Sequence, residues 1–290
     1  MPRPSTALMS RDEFAALIDG LPAERRSAAS PSSVRAAMAL VTEGLVVSAA
    51  EGPAEPGLPD IGLVSAQSPR PYALSHWIDD GDGWGAANHR LELDIHGIAS
   101  MTHIDALDHF RWRDRVHPGG RIEDLSAGLV SRGVLVDVPG VLGVEVPPGH
   151  VVTLDDLQEA LRLEGVSVRP GDALYLRLGR DGARCSHADL AADPMAGLSF
   201  ECREWLSEAA PAVVITDAGL DPNPSEVEGV PVPWHILLLA GLGTPLVDMA
   251  VLRELSAVCA RLGRYEFAST IAPLPIPGAS GSPVNPLALF

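Results

Sequence analysis

Residues 102–110 of the chain are Thr-His-Ile-Asp-Ala-Leu-Asp-His-Phe, which places two histidines and two aspartates within seven positions. They follow residues 91–95, where apolar and polar side chains alternate as in a half-buried strand. If the segment stays extended, residues 103, 105, 107 and 109 share one face. If it turns helical, Asp105 and His109 stack one turn apart. Asp105 and His109 can therefore converge in either conformation, and His103 joins them most easily in the extended one.

Imidazole and carboxylate groups are the ligands expected for zinc, manganese or iron(II). Such an ion polarises a carbonyl group and lowers the pKa of bound water to about 7. A histidine beside that water can transfer protons, because its ordinary pKa is about 6.5. An isolated HxDxxxH spacing is a weak indication, since nearby histidines are usually surface residues or satisfied core residues.

Two distant polar residues strengthen the metal hypothesis. His235 lies within the apolar residues 230–239, and Asp248 follows another apolar run. A buried imidazole or carboxylate needs a partner, so the two residues could complete a four-ligand site. The alternative is that they bond to backbone groups or reach solvent.

At these residues the sequence resembles the cyclase family, which includes bacterial kynurenine formamidase and isatin hydrolase. The family's hallmark is roughly HxGTHxDxPxH, and residues 102–109 match its second half, with Leu107 where the family usually has proline. The resemblance implies that His103 and Asp105 are metal ligands. It also implies that His109 is the catalytic proton shuttle.

The resemblance also covers later segments of the chain. It implies that His235 and Asp248 complete the metal site, although the family's acidic residue is more often glutamate and the spacing here is one residue longer. The matching segments are RGVLVDV at 132–138, PGDAL at 170–174 and GSPVNP at 281–286. The resemblance therefore extends over roughly residues 90–290.

Strands predicted at 133–138, 173–178 and 212–216 are interleaved irregularly with predicted helices, which indicates an α/β protein without a regular repeat. The resemblance implies a swivelling β/β/α domain with a mixed sheet, assembled as a homodimer or homotetramer. We predict an N-terminal helical and irregular arm over residues 1–70, and a catalytic domain over residues 71–290.

One position departs from the family pattern. Four residues before His103 the family has another histidine ligand, and this chain has Ala99. His96 could substitute, although a strand would place it on the face opposite His103. The site could instead hold one ion with the remaining ligands, or the metal could be lost. We favour the single ion, because four protein ligands plus water already suit zinc or manganese.

Composition limits the kinds of partner. The net charge is −17, from 38 acidic and 21 basic residues, which argues against binding nucleic acids or anionic membranes. The three cysteines are widely spaced, so disulfides are not expected and a reducing cytoplasm is predicted. The first residues lack a signal-peptide core. The apolar run 229–247 contains prolines, glycines and His235, which does not suit a membrane span.

These observations predict a hydrolase that cleaves a carbon–nitrogen bond of a small-molecule amide, formamide or lactam with metal-activated water and His109. One alternative is cyclisation or dehydration of a natural-product intermediate, and another is a non-catalytic protein with a degenerate site. Asp217 and Asp221 follow a predicted strand and could line the cleft, although turn formation is the commoner role of such residues.

Overall fold

The computed structural model of the protein describes residues 9–22, 30–50, 72–93, 95, 101–143, 150–179 and 196–290. The predicted domain boundary near residue 70 lies outside the described residues, as do His96 and Ala99. Substitution by His96 therefore stays one of the three alternatives, and the single-ion site stays the favoured prediction.

Thirteen strands and seven α-helices are present in the described residues. The strands are β1 (Val46–Ser48), β2 (Tyr72–Gly81), β3 (Trp84–Leu93), β4 (His103–Asp105), β5 (Leu129–Asp137), β6 (Val151–Val152), β7 (Ala173–Arg177), β8 (Gly197–Leu198), β9 (Val213–Thr216), β10 (Leu246–Asp248), β11 (Glu266–Ile271), β12 (Gly281–Pro283) and β13 (Leu287–Leu289). The helices are α1 (Arg11–Asp19), α2 (Pro31–Met38), α3 (Val138–Leu142), α4 (Leu154–Glu164), α5 (Arg203–Ala209), α6 (Pro233–His235) and α7 (Arg253–Leu262). Two 3-10 helices (Ile122–Leu125 and Phe200–Cys202) and a π-helix (Ile236–Leu242) complete the set.

Nine strands form one mixed sheet in the order β1-β13-β11-β5-β7-β9-β10-β4-β12. The four central strands β5, β7, β9 and β10 are parallel, and the strands on both sides of them pair antiparallel. Parallel strands are covered on both faces, which explains their nearly continuous apolar sequences. The mixed sheet with flanking helices confirms the predicted α/β fold class.

A separate core covers each face of this sheet. Side chains alternate along the strands, so Leu174 and Leu176 of β7 face one core whereas Tyr175 faces the other. Helix α1 packs into the first core through Phe14 and Ile18, which are fully buried. Helix α7 covers the second core. No helix among the described residues has both the length and the apolar character needed to cross a bilayer.

Most of the predicted elements are confirmed. The strands predicted at 133–138, 173–178 and 212–216 are β5, β7 and β9. Helix α4 begins after Thr153, whose hydroxyl and backbone form a capping box with Asp156. The sequence pattern also predicts a helix over residues 249–262, but α7 begins only at Arg253, because residues 246–248 continue the sheet and the chain turns after them.

Strands β2 and β3 form a hairpin apart from the main sheet, which we call the outer hairpin (residues 72–93). The prediction of a half-buried strand near residue 91 is correct for the strand and wrong for its burial, since β3 is almost entirely exposed. Large apolar side chains, each at least 46% exposed, lie on both faces: Leu74, Trp77, Ile78, Trp84 and Leu91. A two-stranded hairpin is marginally stable by itself, and this one carries exposed apolar groups on both faces.

A pair of carboxyl groups lies where β5 ends beside α4. Glu164 accepts a hydrogen bond from the Asp137 backbone N–H at 2.8 Å, and Asp137 also pairs with Arg177 at 2.7 Å. Burial raises the pKa of Glu164 to about 8; the Asp137 N–H opposes this shift, and the negative charge of Asp137 adds to it. Folding therefore favours the neutral, protonated form of Glu164.

Replacing Glu164 tests this interpretation. A carboxyl group with a raised folded-state pKa stabilises the fold below its ordinary value of 4.5, and that contribution is lost as the pH rises through about 8. We expect Glu164→Gln to leave the free energy of unfolding nearly unchanged at pH 5 and to increase it at pH 8.5, as measured by urea denaturation. Glu159→Gln, on the exposed face of α4, is the control and should show no such pH dependence. Equal effects of Glu164→Gln at both pH values would contradict the assignment.

Candidate metal centre

Strand pairing alone brings three of the predicted ligands together. Strand β4 lies between β10 and β12, with His103 directly opposite Asp248. Directly opposed residues of an antiparallel pair project to the same face, and so do residues two apart in one strand. His103, Asp105 and Asp248 therefore share one face near the edge of the sheet. A ligand atom from each lies within 4.8 Å of the others, and all three residues are buried.

The orientation of the His103 ring follows from its hydrogen bond. Its Nδ1 lies 2.8 Å from the carbonyl oxygen of Met101, which can only accept, so Nδ1 carries the hydrogen. In the neutral ring the electron pair is then on Nε2, which lies 3.7 Å from Oδ1 of Asp105. The Nε2 nitrogen of His103 thus faces the carboxylate of Asp105.

His235 reaches the same point from α6. Its Nε2 lies 3.0 Å from Oδ2 of Asp248 and 3.8 Å from Oδ2 of Asp105. Its Nδ1 lies 2.5 Å from Oδ2 of Asp221. The π-helix begins at the next residue, and such helices are rare and frequently mark functional sites. The structure therefore brings His235 and Asp248, distant in sequence from the motif, into contact with it.

His109 lies at the open side of the cluster. Its Nε2 is 3.9 Å from Oδ2 of Asp105, and its side chain is 21% exposed, compared with 6% for His103 and 11% for His235. The motif is extended only at residues 103–105 and then turns, and Leu107 is buried in the first core. His109 is thus the imidazole of the cluster that is most accessible to solvent.

The cluster holds more negative charge than its hydrogen bonds satisfy. Asp105 and Asp248 are both buried, and Oδ1 of Asp248 has no hydrogen-bond partner among the described residues. Burial alone would lower the pKa of His235, but Asp248 and Asp221 raise it well above its ordinary value. Burial raises the pKa of Asp221, against the effects of His235 and of two backbone N–H groups. The space between His235 and Asp248 therefore strongly favours a positive charge.

A divalent metal ion fits this donor set. Bonds of about 2.0–2.2 Å in tetrahedral geometry keep neighbouring donor atoms roughly 3.4 Å apart. The distances of 3.0–3.8 Å from His235 Nε2 to the two carboxylates are close to that value. Such an ion would engage Nε2 of His103 and Oδ1 of Asp248, which has no hydrogen-bond partner among the described residues.

The sequence left Asp217 and Asp221 with two possible roles, lining the cleft or forming a turn, and the structure separates the two residues. Asp217 accepts hydrogen bonds from the backbone N–H groups of Leu178 and Gly179, at 2.7 and 2.8 Å, and so joins two strand ends. Asp221 instead contacts His235. No spacing in the sequence indicated this contact, and none indicated that the Phe110 ring packs against both His109 and His235, with centroids 4.5 and 5.1 Å away.

The backbone is strained beside the two carboxylates that lie within hydrogen-bonding distance of the His235 ring. Leu220, just before Asp221, has φ 56°, and Met249, just after Asp248, has φ 58°. For residues other than glycine this left-handed conformation costs about 1–2 kcal/mol each. The fold therefore sustains unfavourable backbone geometry next to the two groups that hold the imidazole.

Comparison with known families identifies the lineage of the chain. A family model described as "Putative cyclase" matches residues 72–221. The chain belongs to the cyclase family. This confirms the resemblance inferred from the motif, whereas the special position of Ala99 within the family stays a prediction. Comparison with curated proteins gave no match.

Solved structures of cyclase-family proteins share the fold. A structure described as a novel cyclase is 27% identical, with a TM-score of 0.76 and coverage of 90% of this chain and 94% of the other. Isatin hydrolase A from Ralstonia solanacearum is 21% identical, with a TM-score of 0.64 and coverage of 91% and 98%. A protein described as a predicted metal-dependent hydrolase from Bacillus stearothermophilus is 18% identical, with a TM-score of 0.52 and coverage of 84% and 97%. The last two similarities show the fold alone.

Asp248→Asn tests whether the cluster binds metal. In the parent protein, Mn²⁺ or Zn²⁺ at 100 times its Kd should increase the free energy of unfolding by about 2.7 kcal/mol and so raise Tm. The amide has no negative charge and binds a cation poorly, so we expect the rise in Tm to disappear in the variant. Asp155→Asn, an exposed aspartate of α4, should keep the full rise. An unchanged metal-induced shift in Asp248→Asn would show that this residue is not a ligand.

Proposed function

We propose that the protein is a metal-dependent hydrolase that cleaves the carbon–nitrogen bond of a linear or cyclic amide. One observation carries the proposal: His103, Asp105, His235 and Asp248 converge on one buried point, with His109 on its solvent side. The shared fold with isatin hydrolase A and with a predicted metal-dependent hydrolase supports it.

In this proposal His103, Asp105, His235 and Asp248 would hold the ion. Imidazole and carboxylate ligands suit both zinc and manganese. When bound, such an ion polarises the substrate carbonyl and lowers the pKa of water to about 7. The protein's contribution is to hold the four side chains together in a buried site, where electrostatic effects are stronger than in water.

His109 would move the proton. The oxygen of water forms a bond to the carbonyl carbon as Nε2 of His109 accepts a proton from that water. The same nitrogen then returns the proton to the leaving nitrogen as the carbon–nitrogen bond breaks, so atoms and charges balance. Asp105, 3.9 Å from this nitrogen, would stabilise the imidazolium between the two steps. The ring of Phe110 against His109 would keep the imidazole in place.

A small molecule with a flat ring suits this site best. Phe110 provides an aromatic wall beside His109 and His235. One structural neighbour is an isatin hydrolase bound to a product analogue, thioisatinate, which is compatible with a lactam or an aryl amide as substrate.

The net charge of −17 supports the absence of nucleic-acid and anionic-membrane partners.

A non-hydrolytic reaction is the second candidate, favoured by the solved structure described as a novel cyclase. His109 would then act as the base in a cyclisation or dehydration. Turnover in heavy-oxygen water separates the two candidates. Hydrolysis must place solvent oxygen in the carboxylate product, whereas cyclisation leaves the product unlabelled.

His109→Gln tests the proton shuttle. Loss of general acid–base catalysis typically lowers the rate 10²–10⁴-fold. We expect a decrease in kcat of that size on isatin or an N-formyl arylamine, with metal content by elemental analysis unchanged. His103→Ala and Asp105→Ala should lose both metal and turnover. The control is His150→Gln, since His150 lies in another part of the fold beside Asp156. Full activity of a metal-free preparation would refute the proposed mechanism.

We infer that the protein acts as a homodimer or homotetramer, with the outer hairpin as a contact surface. Leu74, Ile78 and Leu91 lie on one face of this hairpin, and Trp77 and Trp84 lie on the other. All five side chains are exposed. Burial of such side chains against a second copy would contribute about 1.5–3 kcal/mol each.

Light scattering tests the oligomer. We expect the parent protein to have at least twice the chain mass of 30.5 kDa. Leu74→Lys with Ile78→Lys should shift the mass towards one chain, because two charges would enter the contact. Leu163→Lys, which alters an exposed leucine of α4, should not change the mass. A parent protein of single-chain mass would contradict the inference.

A reducing cytoplasm is the compartment we infer. Cys202 and Cys259 are buried free thiols. Burial raises the pKa of the Cys259 thiol to about 12, so it is unreactive at neutral pH.

A further inference from the structure

We propose that Asp221 is a positioning residue that holds the His235 ring with hydrogen on Nδ1 and the electron pair of Nε2 facing Asp105 and Asp248. The inference rests on the proposed function, because it concerns how the same metal site is prepared. It assigns a specific task to a carboxylate that sequence analysis could place only near the cleft.

The contacts of Asp221 are those of a fixed acceptor. Its Oδ1 accepts from the Trp234 backbone N–H at 2.7 Å. Its Oδ2 accepts from the His235 backbone N–H at 3.3 Å and lies 2.5 Å from the ring Nδ1. The side chain of Asp221 is buried, so water cannot readily replace it. With both oxygens accepting, Nδ1 of His235 must carry hydrogen, and in the neutral ring Nε2 is then the free donor.

The segment that carries Asp221 is itself held tightly. A side chain at Gly197 would approach within 2.4–2.7 Å of the backbone of residues 220–222, so only glycine permits this close contact. The Leu198 N–H donates to the Leu220 carbonyl at 2.9 Å, and the Leu198 carbonyl accepts from the Trp234 indole at 2.7 Å. Strand β8 therefore connects the segment before Asp221 to the helix that carries His235.

The backbone around Asp221 costs free energy that a simple turn would not need. Leu220 adopts a left-handed conformation although it is a fully buried leucine. An asparagine or glycine would meet the same turn with less strain. The strained backbone lies next to a buried carboxylate aimed at an imidazole, which points to the orientation of that carboxylate as the purpose of the geometry.

Asparagine in place of Asp221 would move the hydrogen of the His235 ring from Nδ1 to Nε2. An amide has one oxygen, and the shorter backbone contact, 2.7 Å from Trp234, requires it. The NH₂ group then faces Nδ1 of His235 and donates to it. That bond places the ring hydrogen on Nε2, which can no longer bind metal. Alanine removes the hydrogen bond and leaves either tautomer available.

The two substitutions therefore separate positioning from packing. If Asp221 only fills space, the isosteric Asp221→Asn should bind metal better than Asp221→Ala. If Asp221 sets the tautomer, the order is reversed. We expect the affinity for Mn²⁺ or Zn²⁺ alone, measured by titration calorimetry, to fall about 10-fold in Asp221→Ala and about 100-fold in Asp221→Asn, within the range typical of second-layer partners. In the metal-free state Asp221→Asn should nevertheless have the higher Tm of the two.

Asp217→Asn is the matched control, because Asp217 is also buried and also accepts from two backbone N–H groups. It should lower Tm and leave metal affinity within threefold of the parent value. Parent-like affinity in both Asp221 variants, or weaker binding by Ala than by Asn, would overturn the role of Asp221 and leave the proposed function intact. If Asp221→Asn does not fold, parent-like affinity of Asp221→Ala overturns the role on its own. A parent protein that binds neither ion would overturn the proposed function first, and the positioning role with it.

Discussion

Burial of negative charge around one imidazole is the constraint on which this structure depends. Three carboxylates, Asp105, Asp221 and Asp248, lie within 4 Å of the His235 ring nitrogens in the interior. Removal of several anions from water costs several kcal/mol per ion unless positive charge compensates it. The compensation is either a proton on His235 or a cation shared with the carboxylates. The fold therefore attracts positive charge to the space around the His235 ring, which is also the candidate metal centre.

The edge of the sheet makes this arrangement possible. Strand β4 pairs with β10 in antiparallel register, so His103 and Asp248 lie directly opposite each other on neighbouring strands. Neither side chain depends on a loop for its position. The Thr102 hydroxyl donates to the Met249 carbonyl at 2.6 Å and fixes the strand end where the backbone of Met249 is strained. Rigid strands supply His103, Asp105 and Asp248, and the turn after β4 supplies the more accessible His109. The division matches the needs of a site in which ligands must stay fixed while a proton carrier meets solvent.

The sequence allowed the convergence to be predicted because burial imposes a rule on polar residues. His235 and Asp248 stood in apolar runs, where an imidazole or carboxylate needs a partner. Other features depend on geometry that no local pattern records. The sequence did not predict the turn after Ala106, because the motif suited an extended and a helical conformation equally. The contact between Asp221 and His235 follows from the position of β8 against residues 220–222. Apolar and polar residues alternate in the outer hairpin as they do in a half-buried strand. The alternation does not show whether either face is buried, and β3 is almost entirely exposed. The π-helix after His235 has the same apolar composition as an α-helix.

The position of β12 has a consequence for how the site comes into being. Strand β4 is paired on one side by residues 246–248 and on the other by residues 281–283, so its neighbours are made long after it leaves the ribosome. Pairings between such distant segments form slowly, because a long loop must close before they gain anything. His103 and Asp105 therefore cannot meet Asp248 until the chain has been synthesised past residue 248. The cluster of His103, Asp105 and Asp248 is therefore assembled only when segments far apart in the chain have paired.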